Sequence, residues 1–506
     1  MIVAPDFDGF ARIHAEGRAG VLRTTLLGDL LTPVAAFLRL RHERKGPAFL
    51  LESVEGGAVR GRFSMIGLDP DVVWRCRDGV ASINRNALQS PGEFTAEDRP
   101  PLESLRGLIG ESALPLEDDL PPMAAGLFGY LGYDMVREME RLPEPNPDPL
   151  GVPDAVLIRP TVMVVFDAVR DEVSLVTPVR PQAGRSAKAA YEIALARIES
   201  VALALERPLP IEDRTDPTSV RFHPPVSNTS PEEYEAMVSR AKDYIGAGDI
   251  FQVVLSQRFE TDFALPAFAL YRSLRRINPS PFLCYLDFED FQIVCSSPEI
   301  LVRVRDGKVT IRPIAGTRAR GATPGEDRAQ AESLLADPKE RAEHLMLLDL
   351  GRNDVGRVAS IGSVEVTDSF FLEYYSQVMH IVSNVEGRLD PKHDALDALV
   401  AGFPAGTVSG APKVRAMEII DELERDKRGP YAGCIGYFGA DGQMDTCIVL
   451  RTAVVKDGRM AVQAGAGIVF DSDPASEQQE CVNKAKALFR AAEDAVRFAS
   501  RARFGQ

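Results

Sequence analysis

The fold class is indicated by one stretch, Val72-Val73-Trp74-Arg75-Cys76-Arg77-Asp78-Gly79-Val80-Ala81-Ser82-Ile83. Two β-forming runs flank Asp78-Gly79, and Asp-Gly is a strong hairpin signal because both positions of the tight turn favour φ > 0. Similar signals are the Asp-Gly dipeptides at 306–307, 441–442 and 457–458, and the strand-like runs 162–166 and 173–177. The pattern therefore predicts that antiparallel sheet predominates, and it argues against a βαβ chain.

Helical patterns are predicted in both halves of the chain. They cover 25–45, which precedes a strand at 47–53, and 185–206, 231–248, 265–277, 325–350, 394–401, 412–425 and 474–498. Ser230-Pro231 and Asp473-Pro474 place a capping residue before proline at a helix start. One weak internal sequence similarity relates Gly126-Leu127-Phe128-Gly129-Tyr130 to Gly433-Cys434-Ile435-Gly436-Tyr437.

A stretch rich in Pro, Ser, Thr and Asp divides the chain. It predicts an N-terminal part at 1–207, a linker at 208–230 and a C-terminal part at 231–506. Whether the two parts share one core is left open.

Composition excludes several classes of function. The chain has 506 residues, 45% of them apolar, and a formal net charge of −16, which argues against nucleic acid and anionic membranes as partners. No apolar run approaches the ~20 residues that span a bilayer, and the acidic first ten residues do not resemble a signal peptide. Six scattered cysteines without a C-x-x-C pair are expected of a reducing cytoplasm and predict no zinc site.

An acidic residue heads the buried face of one predicted helix, at 343–354. Helical spacing places Glu343, Leu347, Leu350 and Asp354 along one side. A buried carboxylate is costly alone, so Glu343 either pairs with an arginine or binds a divalent metal. Glu477 and Glu480 raise the same question near the start of the last helix. One alternative is that these carboxylates stabilise the helix by lying at its positive N-terminal end. The other is that Glu480 shares an Mg²⁺ ion with Glu343.

Three glycine-rich loops could bind a carboxylate through bare backbone N–H groups. They lie at 312–321, 405–413 and 465–467; each alone is more often a tight turn than a binding site, and three in one part of the chain favour a site. Nucleotide binding is not expected, since the chain has neither a Walker A sequence nor a G-x-G-x-x-G after a strand.

Taken together, these runs resemble the chorismate-utilising enzymes, and in particular the large subunits (component I) of the anthranilate synthases. The matching runs lie at 50–53, 62–64, 248–256, 278–282, 297–299, 312–321, 343–354, 377–380, 403–413, 431–433, 445–448 and 464–480. Departures are small: Gly351 stands where alanine is usual, and Leu283 where methionine is common.

The resemblance implies an α+β fold with two packed antiparallel sheets and helices outside. It implies that chorismate and ammonia give anthranilate and pyruvate, with Mg²⁺ as cofactor. Ammonia would come from glutamine through a separate glutamine amidotransferase subunit (component II), because no region up to Gln506 resembles a glutaminase. The expected assembly is a heterotetramer of two large and two small subunits.

Site residues are implied position by position. Glu343 and Glu480 match the Mg²⁺ ligands, and Glu299 matches an acid that protonates the departing 4-hydroxyl group. His380 matches a histidine linked to pyruvate release, and Thr407 lines the same pocket. Positions that match substrate-binding residues are Gly316, Thr317, Tyr431, Arg451, Gly465, Ala466 and Gly467.

Two positions discriminate within the superfamily. Ala315 stands where similar aminodeoxychorismate synthases carry a lysine that forms a covalent adduct. Gln252 stands where water-using isochorismate synthases carry a lysine base, and a glutamine cannot deprotonate water. Ammonia is therefore the expected nucleophile. The alternatives are an aminodeoxychorismate synthase component I and a non-catalytic, tryptophan-binding regulator with this fold.

A tryptophan feedback site is also implied. Its expected form is an apolar slot for the indole ring with polar anchors for the amino-acid end, although 50–53 alone is equally an edge strand. The matching residues are Leu51, Glu52, Ser53, Arg62, Pro281, Phe282, Leu283, Tyr437 and Cys447.

Overall fold

The structure is a computed structural model that describes residues 1–55, 59–117, 120–210, 222–375 and 378–499. The strands are β1 (Gly20–Leu27), β2 (Ala48–Glu52), β3 (Val54–Glu55), β4 (Val59–Arg60), β5 (Phe63–Arg77), β6 (Val80–Asn84), β7 (Thr95–Ala96), β8 (Gly126–Leu131), β9 (Ala155–Asp167), β10 (Glu172–Val179), β11 (Val226–Ser227), β12 (Gln252–Asp262), β13 (Phe282–Asp287), β14 (Phe291–Ser297), β15 (Ile300–Arg305), β16 (Lys308–Ile311), β17 (Ile314–Ala319), β18 (Glu365–Tyr374), β19 (Val378–Arg388), β20 (Gly410–Ala411), β21 (Cys434–Gly439), β22 (Met444–Ile448), β23 (Thr452–Lys456) and β24 (Arg459–Ile468).

The helices are α1 (Phe7–Ala15), α2 (Pro33–Arg41), α3 (Pro101–Ser112), α4 (Ala187–Glu206), α5 (Pro231–Ala247), α6 (Ala267–Ile277), α7 (Pro324–Ala336), α8 (Pro338–Gly356), α9 (Ala395–Gly402), α10 (Lys413–Leu423) and α11 (Pro474–Ala499). Short 3₁₀ turns lie at Pro122–Ala124, Tyr133–Glu138 and Gly406–Val408. Across the described segments, no helix combines the length and apolar content needed to cross a bilayer.

The predicted hairpins are present. β5 and β6 are joined through Asp78-Gly79, and both residues have positive φ, at 49° and 73°. The dipeptides at 306–307 and 457–458 have the same conformation and join β15 to β16 and β23 to β24. The turn at 441–442 joins β21 to β22. The run 162–166 lies in β9 and the run 173–177 lies in β10, and these two strands pair with each other. Every pairing between the described strands is antiparallel, as predicted.

The hydrogen-bonded strands curl into two layers. Phe49 on β2 stacks on Phe128 on β8, with ring centroids 4.7 Å apart. These strands are separated by β5 and β9 in the sheet order, which would place them about 14 Å apart in a flat sheet. One core of strand residues therefore lies between the layers. Two further cores combine the other strand faces with helices, as where Trp74 Nε1 donates to Ser104 Oγ of α3 at 3.0 Å. The α+β fold with packed antiparallel sheets is confirmed.

Strands from the two predicted parts pair directly. β2 pairs with β13, and β8 pairs with β21. The two glycine-aromatic segments that are similar in sequence are therefore neighbouring strands, with Gly129 opposite Gly436. Residues 211–221 of the predicted linker lie outside the described residues, and 226–227 form β11 against β12. The boundary at 208–230 stays a prediction.

Two helix predictions are wrong in extent. The predicted helix at 25–45 is the end of β1, a turn and α2, which begins at Pro33 because Thr32 caps it. The predicted helix at 325–350 is divided into α7 and α8. Asp337 accepts hydrogen bonds from the first N–H groups of α8, and Pro338 occupies the first position. Asp-Pro is thus a start signal here, as it is at Asp473.

Candidate active site

Two helices carry the predicted metal ligands, Glu343 on α8 and Glu480 on α11. Glu343 is half-buried, and its Oε1 accepts a hydrogen bond from Gln252 Nε2 at 3.2 Å. Within the described segments Glu343 forms no ion pair with an arginine or lysine. Asp354, at the far end of the same helical row, does pair, with Lys413 Nζ at 3.0 Å. The salt-bridge alternative therefore describes Asp354 and not Glu343.

Two other carboxylates influence the charge of Glu343, although each has a cation of its own: Arg318 lies 2.7 Å from Glu340, and Lys484 lies beside Glu480. Burial raises the pKa of Glu343, and the negative charges of Glu340 and Glu480 raise it further, while Lys484 acts in the opposite direction. Lys484 Nζ lies 2.8 Å from Glu480 Oε1 and donates to the carbonyl oxygen of Gly465 at 2.9 Å. Glu343 itself has no cationic partner among the described residues, and carboxylate oxygens suit Mg²⁺.

A buried acid occupies another wall of the site. Glu299 follows β14, and its Oε1 accepts a hydrogen bond from Thr407 Oγ1 at 3.3 Å. Burial raises the pKa of Glu299 to about 8, although Thr407, the Ile314 backbone N–H and the charge of Arg451 all act to lower it. The carboxyl group is therefore mostly protonated at neutral pH and is available as a proton donor.

His380 presents a neutral imidazole. Its Nδ1 lies 3.0 Å from the carbonyl oxygen of Gly316 and 3.1 Å from Thr317 Oγ1. Because a carbonyl oxygen only accepts, Nδ1 carries the hydrogen and Nε2 is left as an acceptor. Burial lowers the pKa of His380 to about 4, so the ring stays neutral near pH 7. Tyr375 packs edge-on against the ring at 5.6 Å.

Arg451 supplies the guanidinium group of the site. It lies between β22 and β23 with φ 48°, and its carbonyl oxygen accepts from the Ser296 N–H at 3.2 Å. Burial lowers the pKa of Arg451, opposed by Tyr375 and Glu299. No carboxylate pairs with the guanidinium in the part of the chain that the structure describes. The side chain is therefore free to bind a carboxylate, which a guanidinium does with two parallel hydrogen bonds.

The strand at 465–467 brings bare backbone to the same site. A Cβ atom at Gly467 would lie 2.6 Å from Gln252 Nε2, and one at Gly465 would lie 2.8 Å from the hydroxyl of Tyr431. Glycine at both positions therefore leaves room for these two side chains. Ala466, between them, points its fully buried side chain into the core, so that only its backbone can face a ligand.

A bulge in β17 shapes the opposite wall. The register shifts between Ala315 and Thr317, and Gly316 has φ +67°. A Cβ atom at Gly316 would also lie 3.1 Å from Glu340 Oε2, so both conformation and space favour glycine. The bulge sets Thr317 beside His380 and leaves only the methyl group of Ala315, which is buried.

Comparison with known proteins places the chain in one family, since the family described as chorismate binding enzyme matches residues 62–490. The chain belongs to the chorismate-binding enzymes. Two similar relatives are named anthranilate synthase component 1. The one from Cereibacter sphaeroides is 57% identical over 98% of this chain and 99% of its own length. The one from Pseudomonas putida is 47% identical over 95% and 97%.

A solved structure of the family agrees. The crystal structure of anthranilate synthase component I from Streptococcus pneumoniae matches with a TM-score of 0.74 at 40% identity, covering 92% of this chain and 99% of its own. The resemblance read from the sequence is therefore confirmed at the level of the family and the fold.

A cavity of about 930 Å³ lies beside the candidate active site of this chorismate-binding enzyme. Seven of the nine residues predicted for tryptophan line it: Leu51, Glu52, Ser53, Arg62, Pro281, Phe282 and Tyr437. The carboxylate of Glu52 is already paired, with Arg275 Nε at 2.6 Å and with the Tyr271 hydroxyl at 2.7 Å. Arg62 pairs with Asp167 at 2.8 Å.

The other two predicted residues, Leu283 and Cys447, do not line the cavity. Side chains alternate along a strand, so Phe282 and Cys284 face the cavity while Leu283 faces the helix-covered core. Cys447 is fully buried in the core between the sheet layers, where its sulfur lies within 4.8 Å of the sulfur of Cys284.

Lys484 and Tyr375 are among the residues of the site that were not predicted from the sequence. Lys484 joins Glu480 to the backbone of Gly465, and Tyr375 packs on His380. The Glu-Lys spacing of four on a helix signals the first, whereas nothing local signals the second. Gln377, in one of the matching runs, lies outside the described residues.

Proposed function

We propose that this chain is the large subunit of an anthranilate synthase. It converts chorismate and ammonia to anthranilate, pyruvate and water, the first step of tryptophan biosynthesis. The observation that carries the proposal is near-full-length similarity to relatives named anthranilate synthase component 1. The site supports it, because Arg451 has no carboxylate partner among the described residues, Glu299 is a buried acid beside it, and Glu343 carries a carboxylate without a cation in the same described part of the chain.

Chorismate is a dicarboxylate, and the site offers two means of holding it. Arg451 binds the enolpyruvyl carboxylate through its guanidinium group. Glu343 and Glu480 would hold Mg²⁺, which when bound supplies positive charge for the ring carboxylate. Lys484 positions Glu480 against the backbone at Gly465.

Proton transfer falls to two groups. Glu299 gives its proton to the 4-hydroxyl group, which leaves as water while ammonia adds to the ring, and its carboxylate regains a proton from the added ammonium group. His380 then accepts the ring C–H proton at Nε2 as the bond to the enolpyruvyl oxygen breaks and the ring becomes aromatic, and the released enolpyruvate takes up a proton to give pyruvate. The Gly316 carbonyl fixes that tautomer through Nδ1.

The nitrogen nucleophile is favoured by two side chains that lack basic groups. At Ala315 there is no amine to form a covalent adduct with the ring. The Gln252 amide donates to Glu343 and cannot deprotonate a water molecule. Ammonia needs no such base, so it adds directly.

A glutamine amidotransferase subunit, component II, supplies the ammonia in this proposal. The name component 1, carried by the relatives, supports a second subunit. Two large and two small subunits form the proposed heterotetramer.

L-Tryptophan is the proposed feedback inhibitor, bound in the 930 Å³ cavity. That cavity and the active site share a wall. Pro298 lines the cavity and precedes Glu299, the N–H of Ile314 binds Glu299, and Tyr375 packs on His380. A ligand that shifts this wall therefore disturbs both proton-transferring groups.

Purified chain with chorismate, Mg²⁺ and ammonium salts at about pH 8 tests the activity through anthranilate fluorescence. Glutamine should replace ammonium only when component II is present. An aminodeoxychorismate product, separated by mass and fluorescence, would overturn the assignment in favour of that alternative. An absence of turnover would favour a non-catalytic regulator. Unchanged activity at millimolar tryptophan would remove the feedback proposal alone.

A further inference from the structure

Three cysteines that are distant in the sequence meet between the two sheet layers. Cys284 on β13 and Cys295 on β14 are direct register partners, and Cys447 reaches them from β22. Their three sulfur atoms all lie within 4.8 Å of one another. All three residues are buried, and none of the six cysteines of the chain is in a disulfide bond. Three soft ligands therefore share one small volume.

A polar backbone group adjoins the cluster. The Leu450 carbonyl oxygen lies 3.8 Å from Cys295 Sγ and also accepts a hydrogen bond from Thr452 Oγ1 at 2.9 Å. The thiolate is the form that binds metals, so a bound cation would take the place of thiol protons in this buried setting.

A path leads to the cluster. Cys284 lines the 930 Å³ cavity, and the thioether side chains of Met65 and Met123 line it too. Thioether and thiolate sulfur are ligands that select Cu(I) over hard cations. The cavity thus provides both access and weak sulfur contacts on the way in.

We propose that Cys284, Cys295 and Cys447 form a binding site for a soft cation of the Cu(I) class. Three sulfur atoms about 2.3 Å from one ion in a plane lie about 4.0 Å apart, so the observed spacing needs little adjustment. Two thiols lose their protons to solvent and the third stays neutral. No electron is transferred, and the occupied site carries a net charge of −1.

Occupancy has a consequence for the feedback cavity. Fixing the side chain of Cys284 in the metal site changes the cavity wall next to Phe282. Bound Cu(I) is therefore expected to weaken inhibition by tryptophan. This consequence rests on the proposed function, whereas the metal site itself does not.

The test uses the full, reduced chain without oxygen, titrated with Cu(I) against a colorimetric Cu(I) chelator. One Cu(I) per chain is expected, with three sulfur neighbours in copper-edge X-ray absorption. Cys447→Ser removes one ligand and should weaken binding by about tenfold or more. Cys434→Ser is the matched control, because Cys434 is a buried cysteine on the adjacent strand β21 and lies outside the cluster.

The proposal is overturned by failure of the chain to compete for Cu(I), or by a copper environment of nitrogen and oxygen. It is equally overturned if Cys447→Ser binds as well as Cys434→Ser. If Cys447→Ser does not fold, the copper-edge X-ray absorption spectrum of the unchanged chain decides whether three sulfur atoms bind the ion. Failure of the proposed enzymatic function would appear as absent anthranilate formation and would leave the copper stoichiometry unchanged.

Discussion

Replacing Glu299 by glutamine removes a buried acid while keeping the shape of its side chain. With a pKa of about 8 against an ordinary 4.5, the carboxyl group at pH 7 is protonated in about 90% of molecules, ~300-fold more than an ordinary glutamate. Glutamine cannot donate that proton, and general acid catalysis typically contributes about 10²–10⁴-fold. We therefore expect Glu299→Gln to lower kcat by about 10²–10⁴, measured as anthranilate fluorescence with glutamine and component II.

The pH profile separates loss of the acid from general damage. Only the protonated form of Glu299 can donate a proton, so activity of the unchanged enzyme should fall as pH rises through about 8. That alkaline limb should be missing in Glu299→Gln. Thr407→Val removes a donor to the carboxylate, which raises the pKa of Glu299 and should move the limb to higher pH.

Folding stability provides a check that is independent of catalysis. The pKa of Glu299 is higher in the folded chain than in the unfolded chain, so the unfolded chain releases the proton first and stability falls as pH rises from about 5 to 8. The loss is up to roughly 1.4 kcal/mol per pH unit, or about 4 kcal/mol over this window. Glu299→Gln should escape it, as measured by urea unfolding at several pH values. A stability difference between the two proteins that does not vary with pH, or a rate within threefold of the unchanged enzyme, would refute the reasoning.

The other predictions concern the metal, the nucleophile, the substrate and the inhibitor. Glu343→Gln should abolish anthranilate formation with an unchanged melting temperature, and a near-normal Mg²⁺-dependent rate would contradict the metal assignment. Ala315→Lys should impair anthranilate formation by placing an amine beside the ring, and an unaltered rate would weaken the argument about the nucleophile. Arg451→Lys should raise KM for chorismate about tenfold by losing the two-pronged contact, against no change if the cation binds elsewhere. Glu52→Gln should weaken tryptophan inhibition because it removes the charge that pairs with Arg275. An unchanged inhibition curve would show that Glu52 has only a structural role.

Features set by neighbours in the chain could be predicted from the sequence. Asp78-Gly79 specifies its hairpin because both residues tolerate positive φ, and Ser230 specifies a helix start through its capping box. The break at Asp337-Pro338 has an equally local signal, but the apolar pattern on both sides outweighed it.

Features that depend on contacts distant in the sequence were predicted only where the family resemblance supplied them. Glu299 and Thr407 come together across 108 positions, and no periodicity indicates that. The cysteine cluster was missed because spacing along the chain shows no metal motif, whereas strand pairing places Cys284 opposite Cys295. Leu283 was assigned to the tryptophan site as one of three consecutive residues, although strand alternation turns it to the opposite face.

The pairing of β2 with β13 has a consequence for synthesis on the ribosome. β2 ends at Glu52, and its partner begins at Phe282. Translation proceeds at about 5–20 residues per second, so this edge of β2 remains unpaired for roughly 10–50 s until its partner has been translated. An unpaired β edge is an aggregation hazard, so the nascent N-terminal segment is a natural client for chaperones. The chain should therefore complete its sheet only late in translation.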